Sequence, residues 1–233
     1  MARKKIIFVI VEGPSDEQAL GVALSQIYKK DEVFVHIVRG DITTQANTSA
    51  ANILSRIGDL VRKYAGSNHF RKTDFKKIIH IVDMDGAFIP NDHVVAIDTA
   101  QKPLYSTTNI NTCDKPAIEQ RNAQKRGNIN KLCAAKDIWN VSYQVFYMSC
   151  NLDHALYDKL NRNDVEKEND AYLFAKRYRN DLPAFWTFIS ASAFSVMTGY
   201  KESWDYIKTD LHSLERHSNL GLCFVGEFAA SNR

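Results

Sequence analysis

The sequence predicts an α/β fold: a mainly parallel sheet flanked by helices, with a helical C-terminal extension. Three observations carry that expectation. Runs rich in Ile and Val recur without polar alternation, at "KIIFVIV" (5–11) and "KIIHIV" (77–82), the pattern of strands covered on both faces. Segments with apolar residues at helical spacing separate such runs. From about residue 154 onward the whole pattern turns helical.

In chain order, residues 5–11 form the first strand, and Leu20, Leu24 and Ile27 mark the inner face of the helix that follows. "VFVHIV" (33–38) predicts a second strand, and Ile53, Ile57, Leu60, Val61 and Tyr64 a second amphipathic helix. "KIIHIVDMDG" (77–86) supplies a third strand and "YQVFYMS" (143–149) a fourth. Alternation of strand and helix implies right-handed crossovers, with the functional edge at the strands' carboxyl ends. Residues 87–116, with Pro90, Pro103, Pro116 and many Asn and Thr, read as a long surface excursion containing short extended pieces. Phe185, Phe188, Ile189 and Val196, then Trp204, Ile207, Leu211 and Leu214, carry the helical C-terminal pattern. "LGLCFVGEF" fits either a last strand or a buried helical turn. The division expected is an α/β domain over 1–153 and a helical cap over 154–233.

With 233 residues, 45% hydrophobic and 24% charged, the composition is globular and argues against a disordered or fibrous chain. The apolar run at the N-terminus stops at Glu12, too short for a membrane span or a signal-peptide core, so a cytoplasmic protein is expected. Cys113, Cys133, Cys150 and Cys223 lack the spacing of a zinc module or a disulfide scaffold and read as reduced thiols.

The chemistry concentrates where strands end. A carboxylate at the end of a buried strand is costly unless it is solvated, paired or holding a cation, and Glu12 stands at such a point. Asp16 has a purely structural account: Ser15 and Gln18 read as a capping box, placing Asp16 and Glu17 in a first helical turn where the dipole favours anions. Acids load the third strand's end too. Asp83 and Asp85, two apart, are expected to project to one face roughly 6 to 7 Å apart, with Gly86 permitting a tight exit. Such a pair invites a divalent cation, and magnesium or manganese suits carboxylates open to water and phosphate oxygens. If the first and third strands are neighbours, Glu12 joins them.

"VEGPSD" followed by a helix, and later "IVDMDG", resemble the two signatures of the Toprim domain, in order, spacing and strand context over roughly the first 150 residues. The resemblance implies a Rossmann-like Toprim domain acting on nucleic-acid phosphodiester bonds with Mg2+ or Mn2+. It implies Glu12 as general acid or base and metal ligand, Asp83 and Asp85 as ligands, and Asp16 as the acid that the family's nucleases place after the glutamate. "MSCNLDHALYDKLN" (148–161) is similar to the pattern following this strand in OLD-type and RloB-like Toprim proteins of bacterial defence and mobile elements. There Asp153 stands where those proteins often carry glutamate, which makes it a further metal-ligand candidate, with a first-turn helix acid as its equal structural explanation. The family's topoisomerases and primases bring domains that 233 residues leave little room for, so the resemblance points to a compact nuclease. It implies a DNA or RNA substrate and admits a protein partner such as an ATPase.

Lys115, Arg121, Lys125, Arg126 and Lys131, with Lys136, outnumber the acids of their segment and form a candidate stripe for nucleic-acid phosphates, or else a solvated helix face. Arg39, Gly40 and Asp41 end the second strand and could flank the site. His80 reads as a core histidine and His154 as a somewhat better site candidate, while the three tryptophans fit helix faces in the core. Two rival readings stand beside the nuclease. "IVDMDGAF" resembles the first motif of haloacid-dehalogenase-type phosphatases, but Ala87 replaces the Thr or Ser expected there, and a non-catalytic nucleic-acid-binding or regulatory Toprim module is the other.

Overall fold

The computed structural model describes residues 4–29, 31–37 and 41–231. Strand β1 (Ile6–Val11) leads through Gly13 into helix α1 (Pro14–Ile27); β2 (Glu32–Ile37), α2 (Ile53–Ser67) and β3 (Phe75–Asp83) follow. After the excursion come α3 (Lys115–Ala134), β7 (Asp137–Ile138) and β8 (Val141–Met148). The excursion itself folds into a small sheet of β4 (Val94–Ala96), β5 (Leu104–Tyr105) and β6 (Ile110–Thr112), ordered β4-β6-β5. The extended pieces expected there are therefore paired strands. Helices α4 (Leu152–Tyr157), α5 (Asp164–Tyr178), α6 (Leu182–Ala191), α7 (Tyr200–Ile207) and α8 (Val225–Ser231) complete the chain.

The main sheet runs β2-β1-β3-β8-β7, parallel throughout except for the short antiparallel β7. It is the mainly parallel, helix-flanked, Rossmann-like sheet that the Ile- and Val-rich runs predict. Every residue of β1 is buried, and the strand's period of two divides them between the faces. Ile7, Val9 and Val11 pack with α1, α4, α5 and α6, while Ile6, Phe8 and Ile10 pack with α2, α3 and α7. The C-terminal helices are thus built into the sheet's two cores. Ala155, Phe174, Phe185 and Phe224 share a core with β1 and β3, Trp204 and Ile207 cover the opposite face, and the expected boundary at 153/154 falls inside α4. "LGLCFVGEF" resolves into a 3-10 turn over 220–223 and α8. Trp204 and Trp186 lie on helices, but Trp139 sits in the tight turn between β7 and β8 with φ 55°.

His80 is a core histidine as expected, 1% exposed, with Nδ1 2.8 Å from the Tyr143 hydroxyl. Burial pushes its pKa down to about 4. Because the folded value lies below the unfolded one, His80 contributes stability that is complete above about pH 6.5 and lost as pH falls through about 4. The shift corresponds to something on the order of 3 kcal/mol. Urea titrations across this range are expected to show a loss on acidification in the parent that His80→Phe reduces; parallel curves for the two proteins would refute the assignment.

Candidate active site at the carboxyl edge of the sheet

Strands β1 and β3 are parallel neighbours, so their carboxyl ends bring Glu12 and Asp83 side by side. The Asp83 N–H donates to Glu12 Oε1 at 3.1 Å, and Asp83 Oδ1 accepts from the N–H of Leu152 at 3.1 Å, at the start of α4. Both carboxyls are half-buried, and among the described residues no ion pair reaches either. Loss of water pushes the Glu12 pKa well above the usual carboxylate range, reinforced by the charges of Asp41 and Asp85 and opposed by Lys125. Asp83 is raised for the same reason, and by Glu12, Asp16 and Asp85.

Asp85 leaves this pair. Strand β3 stops at Asp83, and Asp85 adopts φ 48° in the turn that follows, so the same-face spacing expected for the two aspartates does not hold. Its N–H donates to Cys150 O at 2.7 Å, its carbonyl accepts from Arg121 Nη2 at 2.9 Å, and its carboxylate receives Lys125 Nζ. Gly86 does provide the tight exit: at φ 64°, with the position of a Cβ only 2.6 Å from Leu214 Cδ2, no other residue fits without strain.

Lys125 corrects the phosphate-contacting stripe. Its side chain is fully buried, and Nζ also reaches Asp41 Oδ2 at 2.8 Å. Burial works against its charge, but Asp41, Asp85 and Glu12 outweigh that and hold its pKa well above the ordinary lysine value. Helical register carries the reason, since Ile118, Asn122, Lys125, Ile129 and Leu132 recur at three and four residues and form the buried face of α3. Arg121 is likewise turned inward, donating to the Tyr105 hydroxyl at 2.6 Å, and Arg126 donates to Ala87 O at 2.8 Å. Lys131 is exposed, and Lys115 lies 3.7 Å from Glu119. The stripe's outward cations are thus fewer than the sequence suggests. Asp41, flagged at the end of the second strand, is fixed by Thr43 N–H at 2.8 Å, whereas Arg39 and Gly40 lie outside the described residues.

Asp16 caps α1, though not in the register expected. Gly13, not Ser15, is the N-cap, and Asp16 Oδ2 accepts from the N–H groups of Glu12 (3.2 Å) and Gly13 (3.0 Å). Pro14 cannot donate an N–H and is preorganised for the first helical position, which starts the helix early. Burial raises the Asp16 carboxyl to about 6 against those two donors. Asp153 lies in the first turn of α4, buried, 3.6 Å from Lys167 Nζ, with Oδ1 lacking a hydrogen-bond partner. His154 beside it is buried with Nδ1 unpartnered and pairs only loosely with Asp158, at 3.9 Å. Lys167 was not legible in the sequence: it sits on an ordinary charged stretch of α5, yet its charge acts on Asp153, Asp83 and Asp16 together.

A divalent cation can be tested against these positions. Among the described residues no three His, Cys, Asp or Glu side chains converge as a ready-made cage. Asp85 is engaged by Lys125, and Asp153 faces Lys167. Glu12 and Asp83 remain, and a pair of hard carboxylate oxygens fits magnesium, which takes one or two carboxylates and fills its shell with water and phosphate oxygens.

No family model, curated protein or solved structure matches the chain. What the fold and the site define is therefore a class: an α/β protein with acids gathered at the carboxyl edge of its parallel strands, where open sheets of this kind place their ligands. Among the described residues, no helix is long and apolar enough to cross a membrane.

Proposed function

We propose that this protein is a Toprim-type nuclease that cleaves nucleic-acid phosphodiester bonds with Mg2+ or Mn2+, held by Glu12 and Asp83. One observation supports it above the rest: Glu12 and Asp83, neighbours at the carboxyl edge of β1 and β3, both have carboxyls that burial holds well above the usual range, and neither has an ion-pair partner among the described residues. Such an arrangement costs stability unless protons or a cation offset it. A divalent cation bound there supplies charge neutralisation for the phosphoryl oxygens. Glu12, poised by its raised pKa to exchange a proton, serves the attacking or leaving oxygen. Lys125 holds Asp85 and Asp41 in place beside them, and Asp16 fixes the backbone from which Glu12 projects. Lys131 and Lys115 are the outward cations of α3 that remain for phosphate contact, and a role in bacterial defence or a mobile element, with an ATPase as partner, belongs to the same reading.

The ion pair of Lys125 with Asp85 favours a second reading, a nucleic-acid-binding or regulatory module without turnover, because it removes one acid from a metal-binding role. Magnesium and manganese titrations separate the two. Calorimetric binding is expected in the parent and lost in Asp83→Asn, accompanied by metal-dependent cleavage of DNA or RNA, with p-nitrophenyl phosphate as the control for phosphatase chemistry. Metal binding unchanged in Asp83→Asn would remove the site.

A further inference from the structure

A cleft of about 880 Å³ lies away from the acids, between the outer edge of β2, helix α1 and helix α5. β2 has a strand neighbour on one side only among the described residues. The Glu32 N–H donates to Lys5 O at 2.8 Å, so in this parallel ladder Glu32, Phe34 and His36 pair with β1, whereas Val33 and Val35 turn their N–H and C=O groups outward. Open edges are ordinarily blunted by proline, a bulge or an inward-pointing charge. None of these interrupts "VFV" at 33–35, and the half-buried Val33, Phe34 and Val35 are flanked by Val22 (38% exposed) and Tyr172 (52% exposed).

The charges at the two ends of the cleft say what covers it. Helices α1 and α5 run side by side on one face of the sheet, their N-termini together around Pro14, Ser15 and Asp164, and both descend from the strands' carboxyl edge. Glu17, in the first turn of α1, therefore marks the upper end of the cleft, while Lys176 and Arg179, at the end of α5, mark the lower end. Glu17 and Gln26 are separated along α1 by roughly 13 Å of helix, and Gln26 donates to Arg179 O. A two-fold axis normal to the sheet exchanges upper and lower ends. It sets Glu17 of one copy against Lys176 and Arg179 of the other at both ends of the contact, an isologous match that a parallel approach would not give.

We propose that the protein forms a two-fold dimer through β2, pairing the strands antiparallel so that Val33 of each copy meets Val35 of the other. Each such pair exchanges both of its backbone hydrogen bonds. The two five-stranded sheets become one continuous sheet, and Val22 and Tyr172 are covered at the junction. Both proposed active sites stay open, since Glu12 and Asp83 face the carboxyl edge and not the β2 edge.

Sedimentation velocity on the full chain across micromolar concentrations tests this without reference to cleavage. A concentration-dependent dimer is expected. Val35→Pro removes an outward N–H and leaves the β1 ladder intact, so it should raise the dimer dissociation constant by about tenfold or more, given the lost hydrogen bonds and the ring in the path of the incoming strand. Glu17→Lys alone, and Lys176→Glu with Arg179→Glu, should each weaken the dimer, and the triple variant should recover it. A parent that stays monomeric throughout overturns the proposal, as does a dimer indifferent to both Val35→Pro and the charge reversals. Should Val35→Pro unfold, recovery by the triple charge variant decides the question alone.

Discussion

Replacing Lys125 by methionine is expected to destabilise the protein by about 3–5 kcal/mol, the usual cost of removing one partner from a buried ion pair. The ammonium is fully buried between Asp41 and Asp85, whose side chains are only 12% and 21% exposed. Without it both carboxylates remain in a poorly solvated pocket, beside Glu12 and Asp83, whose own carboxyls already resist ionisation. The loss comes from the stranded acids, not from the lysine's packing, so a compensating variant should restore much of it. Lys125→Met combined with Asp41→Asn and Asp85→Asn is expected to unfold in urea close to the parent midpoint. If Lys125→Met alone is as stable as the parent, the ammonium does not offset these charges. Reversal to glutamate would place a third acid in the pocket and is expected to prevent folding.

The second large effect concerns chemistry. Glu12→Gln should lower cleavage by roughly 10²-fold or more, the scale for losing a general acid or base. Folding should survive, because the amide oxygen of glutamine can still accept the Asp83 N–H that Glu12 Oε1 accepts now. Stability should hold or rise, since the substitution removes a charge that burial, Asp41 and Asp85 all oppose. Activity measured on the same preparation should therefore fall while the urea midpoint does not. A fully active Glu12→Gln protein would make Glu12 a strand-end acceptor for the Asp83 N–H and nothing more.

Much of this was legible from residue order. β1 and β3 are buried on both faces, and continuous Ile and Val runs report that condition directly. The acids at the ends of those strands stand out because a charge following such a run contradicts the surroundings it is about to enter. Asp85 was misplaced by the same reasoning, since spacing of two implies a shared face only while the chain remains a strand. Here φ 48° at Asp85 ends it. The α1 cap was misjudged by two residues, because Ser15 and Gln18 satisfy the pattern while the helix starts at Pro14.

Residue pattern by itself determined the fold class, the four long strands and the placing of Glu12 and Asp83 at strand ends, because burial leaves a periodic mark on neighbouring residues; the pairing of β1 with β3 that brings those two acids together came from the sheet's topology. Which charges meet was settled only by packing. Lys125 joins Asp41 and Asp85 across 84 and 40 residues, and Lys167 reaches Asp153 from another helix. A long flexible side chain carries no local sign of whether it ends in water or against a distant carboxylate; that depends on the helix face on which it falls and on what the fold brings opposite it.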